Sequence, residues 1–406
     1  MWIHESLRQA LDKTRGVGPG FNLVRHALAL AILIFHAFLA TRLHPALPSG
    51  APGPAVMNAP QLDHASRAMD LFRPVLFSLV GAFFALSGFL VTGSAIRTQS
   101  VVTFFTNRAL RILPALSVEV TLSALILGPA LTSFALGHYF SDPLFARYFW
   151  NIVGHVQFAL PGVFGDNPWP VTVNLNLWTL PAELYSYLFM LLILASGLIR
   201  SPHWTRIVVT IVAFVALVAA FAYPALLPVK ANNTHFTEWY IVFMFILGSA
   251  FFLYGQHVPL HAGIFVASAL AFYAMVYFDL LLPLAGIPLT YCVLYVGMQR
   301  FAWFDRIVRV DLSYGTYLYG FPITQTVTWL LLHHVPALHS PARLFAATVL
   351  ITLVATCAFA ALSWHWIEKP ALALRRFLPP AKKAARLPPE APIAAARATA
   401  ADAVHG

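Results

Sequence analysis

His36 lies within residues 21–43 (FNLVRHALALAILIFHAFLATRL), a largely apolar stretch long enough to cross a bilayer as one helix. Arg25 precedes it by eleven residues. Eleven steps of about 100° return to within roughly 20° of the starting direction, so the two side chains share a helix face, ~16 Å apart along the axis. An ionisable group at membrane depth is costly and faces a bundle interior or a polar cavity, which makes it a functional candidate. The plain alternative is a histidine hydrogen-bonded to a neighbouring helix for packing. Glu183, in NLWTLPAELYSYLFM, is the second candidate. His36 is placed ~10 Å below the outer end of its helix and Glu183 ~9 Å below the outer start of its own, so the two are expected in one layer. A carboxylate beside the imidazole would fix its tautomer and raise its basicity, as a general base requires. The expectation is therefore a His36–Glu183 pair within hydrogen-bond reach, with Asp70, Asp166 or a backbone carbonyl as the fallback partner of the ring.

A second set gathers at the other end. Arg25 opens the first apolar stretch, and Arg108 and Arg111 (TNRALRILP) are three apart on one face at the expected inner start of the third. Ser313 and Tyr314 (DLSYGTYLYGFP) open the ninth. Glu368 and Lys369 (HWIEKP) close the tenth, where Pro370 is expected to stop the helix. Three guanidiniums at one mouth are suited to holding phosphates in bidentate fashion; ordinary anchoring by basic residues is the competing reading. In AFFALSGFL, Ser87 and Gly88 allow close approach of a ligand or of another backbone.

Positioning these residues takes a polytopic all-α membrane protein. The 406 residues are 59% hydrophobic and 10% charged, with mean hydropathy +0.74, far from the roughly one-quarter charged content of soluble domains. Ten spans are expected, near 22–43, 74–94, 112–133, 177–198, 204–226, 238–255, 262–278, 280–298, 312–333 and 344–366. With the N-terminus inside, 19 of the 25 Lys and Arg residues fall on the cytoplasmic side, which places both termini in the cytoplasm. The net charge of +10 thus reads as membrane orientation rather than nucleic-acid binding. Cys292 and Cys357 sit in apolar runs and imply neither a disulfide framework nor a metal site. Residues 1–20 read as a cytoplasmic segment before an uncleaved first helix, 21–377 as one membrane domain, and 378–406 as a disordered Pro/Ala-rich tail. Two outer loops are long, 44–73 and 134–176; within the latter, 144–160 either lies in the interface or dips into the bundle.

The chain resembles the type-3 membrane acyltransferases, which include bacterial O-acetyltransferases of cell-surface sugars. The resemblance runs from about residue 20 to 377 and rests on six motifs in order: Arg25-x10-His36, FFALSGFL at 83–90, R-x-x-R-x-x-P at 108–114, LWTLPAELY at 177–185, SYGTYLYGFP at 313–322 and WIEKP at 366–370. It implies a ten-helix core, a cytoplasmic acyl-CoA donor with no bound cofactor, and an essential first-helix histidine. By motif, His36 becomes the catalytic residue, Arg25, Arg108 and Arg111 donor-side or structural residues, and Glu183 a buried acidic residue of the core; with its depth counted in, Glu183 is expected to join His36 in catalysis, Arg25, Arg108 and Arg111 to bind the acyl donor, and Ser87, Trp178, Tyr314 and Glu368 to support the site. Many members carry an acidic residue just before the Phe-Phe of the second span, where this chain has Gly81-Ala82, so Glu183 is expected to take that acid's place beside the histidine. The implied activity is acyl transfer, acetyl above all, to a hydroxyl of a cell-surface or lipid-linked glycan in the bacterial inner membrane. A transporter or flippase for a lipid-linked saccharide, with His36 and Glu183 relaying protons, is the alternative; a purely structural scaffold leaves the buried ionisable groups unexplained.

Overall fold

The computed structural model describes residues 5–14, 16–41, 66–223, 237–308 and 310–378, with the side chains of 66–70 outside that description. The proposed disordered tail, most of the first outer loop and Asp70 as a partner for His36 therefore lie outside the described residues. The described chain is predominantly helical: α1 (Leu7–Lys13), α2 (Phe21–Ala40), α3 (Ser66–Thr98), α4 (Val101–Leu122), α5 (Leu180–Ala195), α6 (Pro202–Ala222), α7 (Glu238–Leu253), α8 (Ala262–Tyr277), α9 (Gly286–Gly297), α10 (Ser313–His334) and α11 (Pro341–Ser363), joined by shorter helical turns and an irregular segment over 154–174. A helix stands at each of the ten expected positions. Among the described residues, six are long and apolar enough to cross a membrane: Phe21–Ala40, Leu71–Thr98, Val101–Leu131, Leu175–Ala195, Pro202–Ala222 and Pro341–Phe377. Helices α7, α8 and the segment Leu282–Gly297 are apolar but shorter. Helix α10 has the length, but Thr316, Thr324, Gln325 and Thr328 are buried along it.

Several boundaries differ from expectation, with consequences for the site. Helix α4 starts at Val101 rather than near 112, behind a Ser100 side chain that accepts from the Thr103 N–H. Arg108 and Arg111 therefore sit two or more turns inside a helix, not at its mouth. Pro370 does not stop α11. A π-turn at Trp364–Glu368 widens the helix just before it, and helix continues over Lys369–Ala373. A second π-turn, Ser123–Leu127, precedes Pro129 in the same way. A proline lacks the N–H of the ordinary ladder, and a π-turn absorbs that loss without ending the helix.

Helices α3 and α7 touch backbone to backbone. A Cβ on Gly88 would lie 1.9 Å from the Phe245 carbonyl oxygen, and one on Gly248 would lie 1.9 Å from that of Ala85. Gly88 thus serves helix packing, while Ser87 beside it faces a cavity. The N-terminal segment is held against the bundle: Leu7 and Leu11 are buried, and the Leu7 and Arg8 N–H groups donate to the carbonyls of Val258 and Gly255. Residues 144–160 do both things the sequence allowed. Tyr148, Asn151 and Leu160 turn into the bundle, whereas Trp150 and Val153 face outward. Both cysteines are free; Cys292 is half-buried and Cys357 is exposed on the outside of the bundle.

Candidate active site

One cavity of about 180 Å³ opens among α2, α3, α4, α5 and α10, and it collects most of the sequence-named residues. Arg25, Ser87, Arg108, Arg111, Glu183 and Tyr314 all line it, against a wall otherwise built largely of Phe, Leu, Ile and Val. Arg108 and Arg111 reach it together because they are three apart on α4.

Asp311, which is not among the residues expected from the sequence, ties this end together. Its Oδ2 accepts from Arg25 Nη1 at 2.9 Å and from Arg111 Nη2 at 3.0 Å, while its Oδ1 accepts from the Ser313 N–H at 3.1 Å and the Ser313 hydroxyl at 2.5 Å. Burial opposes its ionisation, but the Arg25 and Arg111 guanidiniums and the Ser313 hydrogen bonds hold its carboxyl well below the usual carboxylate range. The Arg111 guanidinium also lies 3.5 Å from Glu368 Oε2 and over the Tyr314 ring. Tyr314 in turn donates to the Ile112 carbonyl of α4. One residue away, the Leu312 N–H donates to His26 Nε2, and His26 Nδ1 stands 2.8 Å from the Asn22 carbonyl. Both ring nitrogens of His26 are thus satisfied within the core. Trp178 is buried in the apolar core and does not line the cavity.

Glu183 is not paired with His36. Its Oε1 accepts from the Tyr187 hydroxyl at 2.5 Å, one turn along α5, and Tyr187 bridges it toward Arg108. Glu183 lies deeper than its position along the chain implies, because α5 does not begin at the outer surface. The chain from 157 to 176 folds down into the bundle first: Asn174 and Asn176 are buried, and the Asn176 amide donates to the Tyr317 carbonyl, only four residues into α10. His36 instead stands level with Phe321, its ring edge-to-face at 5.2 Å. One helical turn separates Tyr317 from Phe321 and another separates Thr179 from Glu183, which sets Glu183 about 10 Å further along the axis than His36. Asp166 is not the ring's partner either, since it pairs with His333 at 2.8 Å.

His36 itself is 6% exposed, and its Nδ1 is buried with no hydrogen-bond partner among the described residues. It does not line the cavity; Leu318, one turn inward of Phe321, does. Around it Leu39, Trp169, Leu175 and Phe321 form a separate apolar cluster, with Phe35, Phe38 and Phe158 packed against it. The outer segment contributing Trp169 and Leu175 is fastened by buried amides. Gln325 Nε2 donates to the Trp169 and Thr172 carbonyls, and Asn167 donates to Gln325. Asn174 Nδ2 donates to Glu119 Oε1 at 2.9 Å and to the Leu318 carbonyl at 3.1 Å. Pro322 has no N–H to offer the Leu318 carbonyl, so the asparagine takes the acceptor that the proline leaves open. Replacing Asn174 with Ala strands that carbonyl in the core, a loss of about 1–3 kcal/mol, and leaves Glu119 Oε1 with the Ser123 hydroxyl alone. Thermal unfolding in detergent should show a clearly lowered midpoint for Asn174→Ala; an unchanged midpoint would mean that Asn174 does not fasten the segment.

Residues 19–364 match the family model of the acyltransferase domain, most of the chain and all but one of the six motif regions. The chain belongs to this acyltransferase family. An O-acetyl transferase of Shigella phage Sf6 is 27% identical over 319 residues, spanning 73% of this chain and 87% of the relative. Nodulation protein 10 of Rhizobium leguminosarum bv. viciae is 29% identical over 347 residues, spanning 75% and 85%. No solved structure matches the chain. Membership of the acyltransferase family decides against the transporter reading, and it directs attention to where an acyl group would be received.

Proposed function

We propose that this acyltransferase moves an acyl group, acetyl in the first instance, from acyl-CoA to a hydroxyl of a cell-surface or lipid-linked glycan, with His36 as general base. The observation that carries this reading is the buried Nδ1 of His36, without a partner among the described residues, on the same helix as Arg25, which lines the guanidinium cavity. A buried ring nitrogen without a protein partner is completed by a substrate group, and a substrate hydroxyl is what a general base needs in that place. The O-acetyl transferase of phage Sf6 supports the ester product and the choice of acetyl.

In this account the donor enters at the arginine end and its thioester extends outward toward His36. The acceptor hydroxyl gives its proton to the imidazole as its oxygen bonds to the thioester carbonyl carbon. The carbon–sulfur bond then breaks, and the imidazolium returns the proton to the departing sulfur, leaving an ester and free thiol. Attack by the imidazole itself, to give an acyl-histidine, is the other route open to the same residue. Glu183, set with Arg108 and Tyr187, belongs to the donor side and not to the base. Ten membrane crossings with both termini in the cytoplasm, in a bacterial inner membrane, complete the proposal and put the donor mouth on the side where acyl-CoA is found.

Mass spectrometry of surface glycans from cells with and without the gene tests the overall reaction. A gain of one acetyl mass per modified residue, dependent on the gene, is expected. Identical glycan masses, with a change only in the amount exported, would contradict acyl transfer.

A further inference from the structure

The three guanidiniums of the cavity are not equivalent. Arg25 and Arg111 are both committed to Asp311 Oδ2, and Arg111 also lies by Glu368. Arg108 makes no ion pair among the described residues. It reaches Ser94 Oγ at 3.5 Å, bonds the Tyr187 hydroxyl that Glu183 accepts from, lies over the Phe104 ring, and keeps a buried Nε with no acceptor among the described residues. A buried guanidinium N–H without an acceptor is an open half of a bidentate fork, the geometry that a phosphoryl group fills. An anion that engages Arg25 or Arg111 meets a charge already balanced by the Asp311 carboxylate, and by Glu368 as well at Arg111, so it gains less there than at a guanidinium with no ion pair.

We propose that Arg108 alone grips the anionic group of the ligand entering this cavity, and that Asp311 is a positioning residue that withholds Arg25 and Arg111 from it. The ligand this arrangement fits carries one phosphoryl group at Arg108 followed by an uncharged arm along Phe83, Leu86, Leu90 and Leu180. That is the chemistry of an acyl-4′-phosphopantetheine, whether it is part of acyl-CoA or borne by a carrier protein. Naming the ligand so rests on the donor reading above; the division of labour among the arginines does not.

The test compares S-acetyl-4′-phosphopantetheine with S-acetylpantetheine, which lacks the phosphate, as donors to the purified protein. The wild type is expected to need at least ten times less of the phosphorylated compound for half-saturation. Arg108→Ala brings that ratio close to one, and Arg108→Lys, which keeps charge but loses the fork, falls between. Arg25→Gln and Arg111→Gln keep the wild-type ratio. Asp311→Asn frees both guanidiniums and raises the ratio above wild type while lowering kcat, and Asp311→Glu restores it; a merely structural aspartate would leave the ratio alone. Equal loss of the ratio in Arg25→Gln and Arg108→Ala would overturn the proposal. Acetyl-CoA against an acetylated carrier protein, at matched concentration, identifies the source of the arm. Calorimetric binding of inorganic pyrophosphate, kept by the wild type and Asp311→Asn and lost in Arg108→Ala, reads the same division without a thioester. If the pyrophosphate difference holds and neither thioester is used, the donor reading alone fails; if pyrophosphate binds all variants alike, the assignment of Arg108 fails.

Discussion

Replacement of His36 by Ala should reduce acyl transfer roughly 10²–10⁴-fold, the usual contribution of a general base, and leave the fold in place. Among the described residues the ring makes no hydrogen bond at Nδ1 and packs against Phe35, Phe321 and their neighbours, so truncation leaves an apolar void and no orphaned charge. A cavity of that kind costs a few kcal/mol at most, spread over a large bundle. His36→Gln, which keeps volume and polarity without a basic nitrogen, should be equally inactive. Because Glu183 lies about 10 Å further along the axis, the free-energy effects of His36→Ala and Glu183→Gln should add to within ~0.5 kcal/mol. Steady-state rates with the purified single and double variants check both points. Strong non-additivity would restore the direct pairing that the geometry lacks.

Gly88→Val should abolish accumulation of folded protein. The added Cβ alone would sit 1.9 Å from the Phe245 carbonyl oxygen and 2.7 Å from its carbon. Both are backbone atoms of α7, so no side chain can swing aside to relieve the clash. Close backbone contact through small residues is the main source of helix–helix attraction in a bilayer, where burial of apolar surface gives no net drive. Overpacking of a flexible core costs about 1–3 kcal/mol, and a clash with rigid backbone exceeds that range. Gly248→Val should fail in the same way from the other side, against Ala85. Gly137→Ala, where an added Cβ meets nothing within 4 Å, is the matched control and should behave as wild type. Size-exclusion profiles of fluorescently tagged variants in detergent give the answer. A monodisperse Gly88→Val protein at wild-type yield would mean that α3 and α7 do not pack as described.

Hydropathy locates the helices well, because a run of apolar residues has one stable form in lipid. It does not locate their ends. Ser100 caps α4 a dozen residues before the hydropathy signal peaks, and the prolines at 129 and 370 are bypassed by π-turns that no periodicity reveals. The cluster at the arginine end was legible from residue type and spacing, since Arg25, Arg108, Arg111 and Tyr314 do meet. Asp311 was not singled out, although an acid two residues before a helix start, facing a basic end, carries a readable signal. Glu119 was equally visible: a lone carboxylate in an apolar span is the same kind of anomaly as His36. The Glu183–His36 pairing failed for a tertiary reason. Depth counted along the chain assumes that each span starts at the surface, and the inward fold of 157–176 breaks that assumption. Only long-range contacts, such as Asn176 with Tyr317 and Asn174 with the carbonyl left by Pro322, determine where α5 begins.

The most direct measurement of the central claim uses the purified protein in lipid nanodiscs with acetyl-CoA labelled in the acetyl carbon and a glycolipid acceptor. The account predicts label appearing in the glycolipid as an alkali-labile ester, in step with release of free CoA thiol, and both absent with His36→Ala. Ester formation undiminished in a folded His36→Ala protein would contradict it.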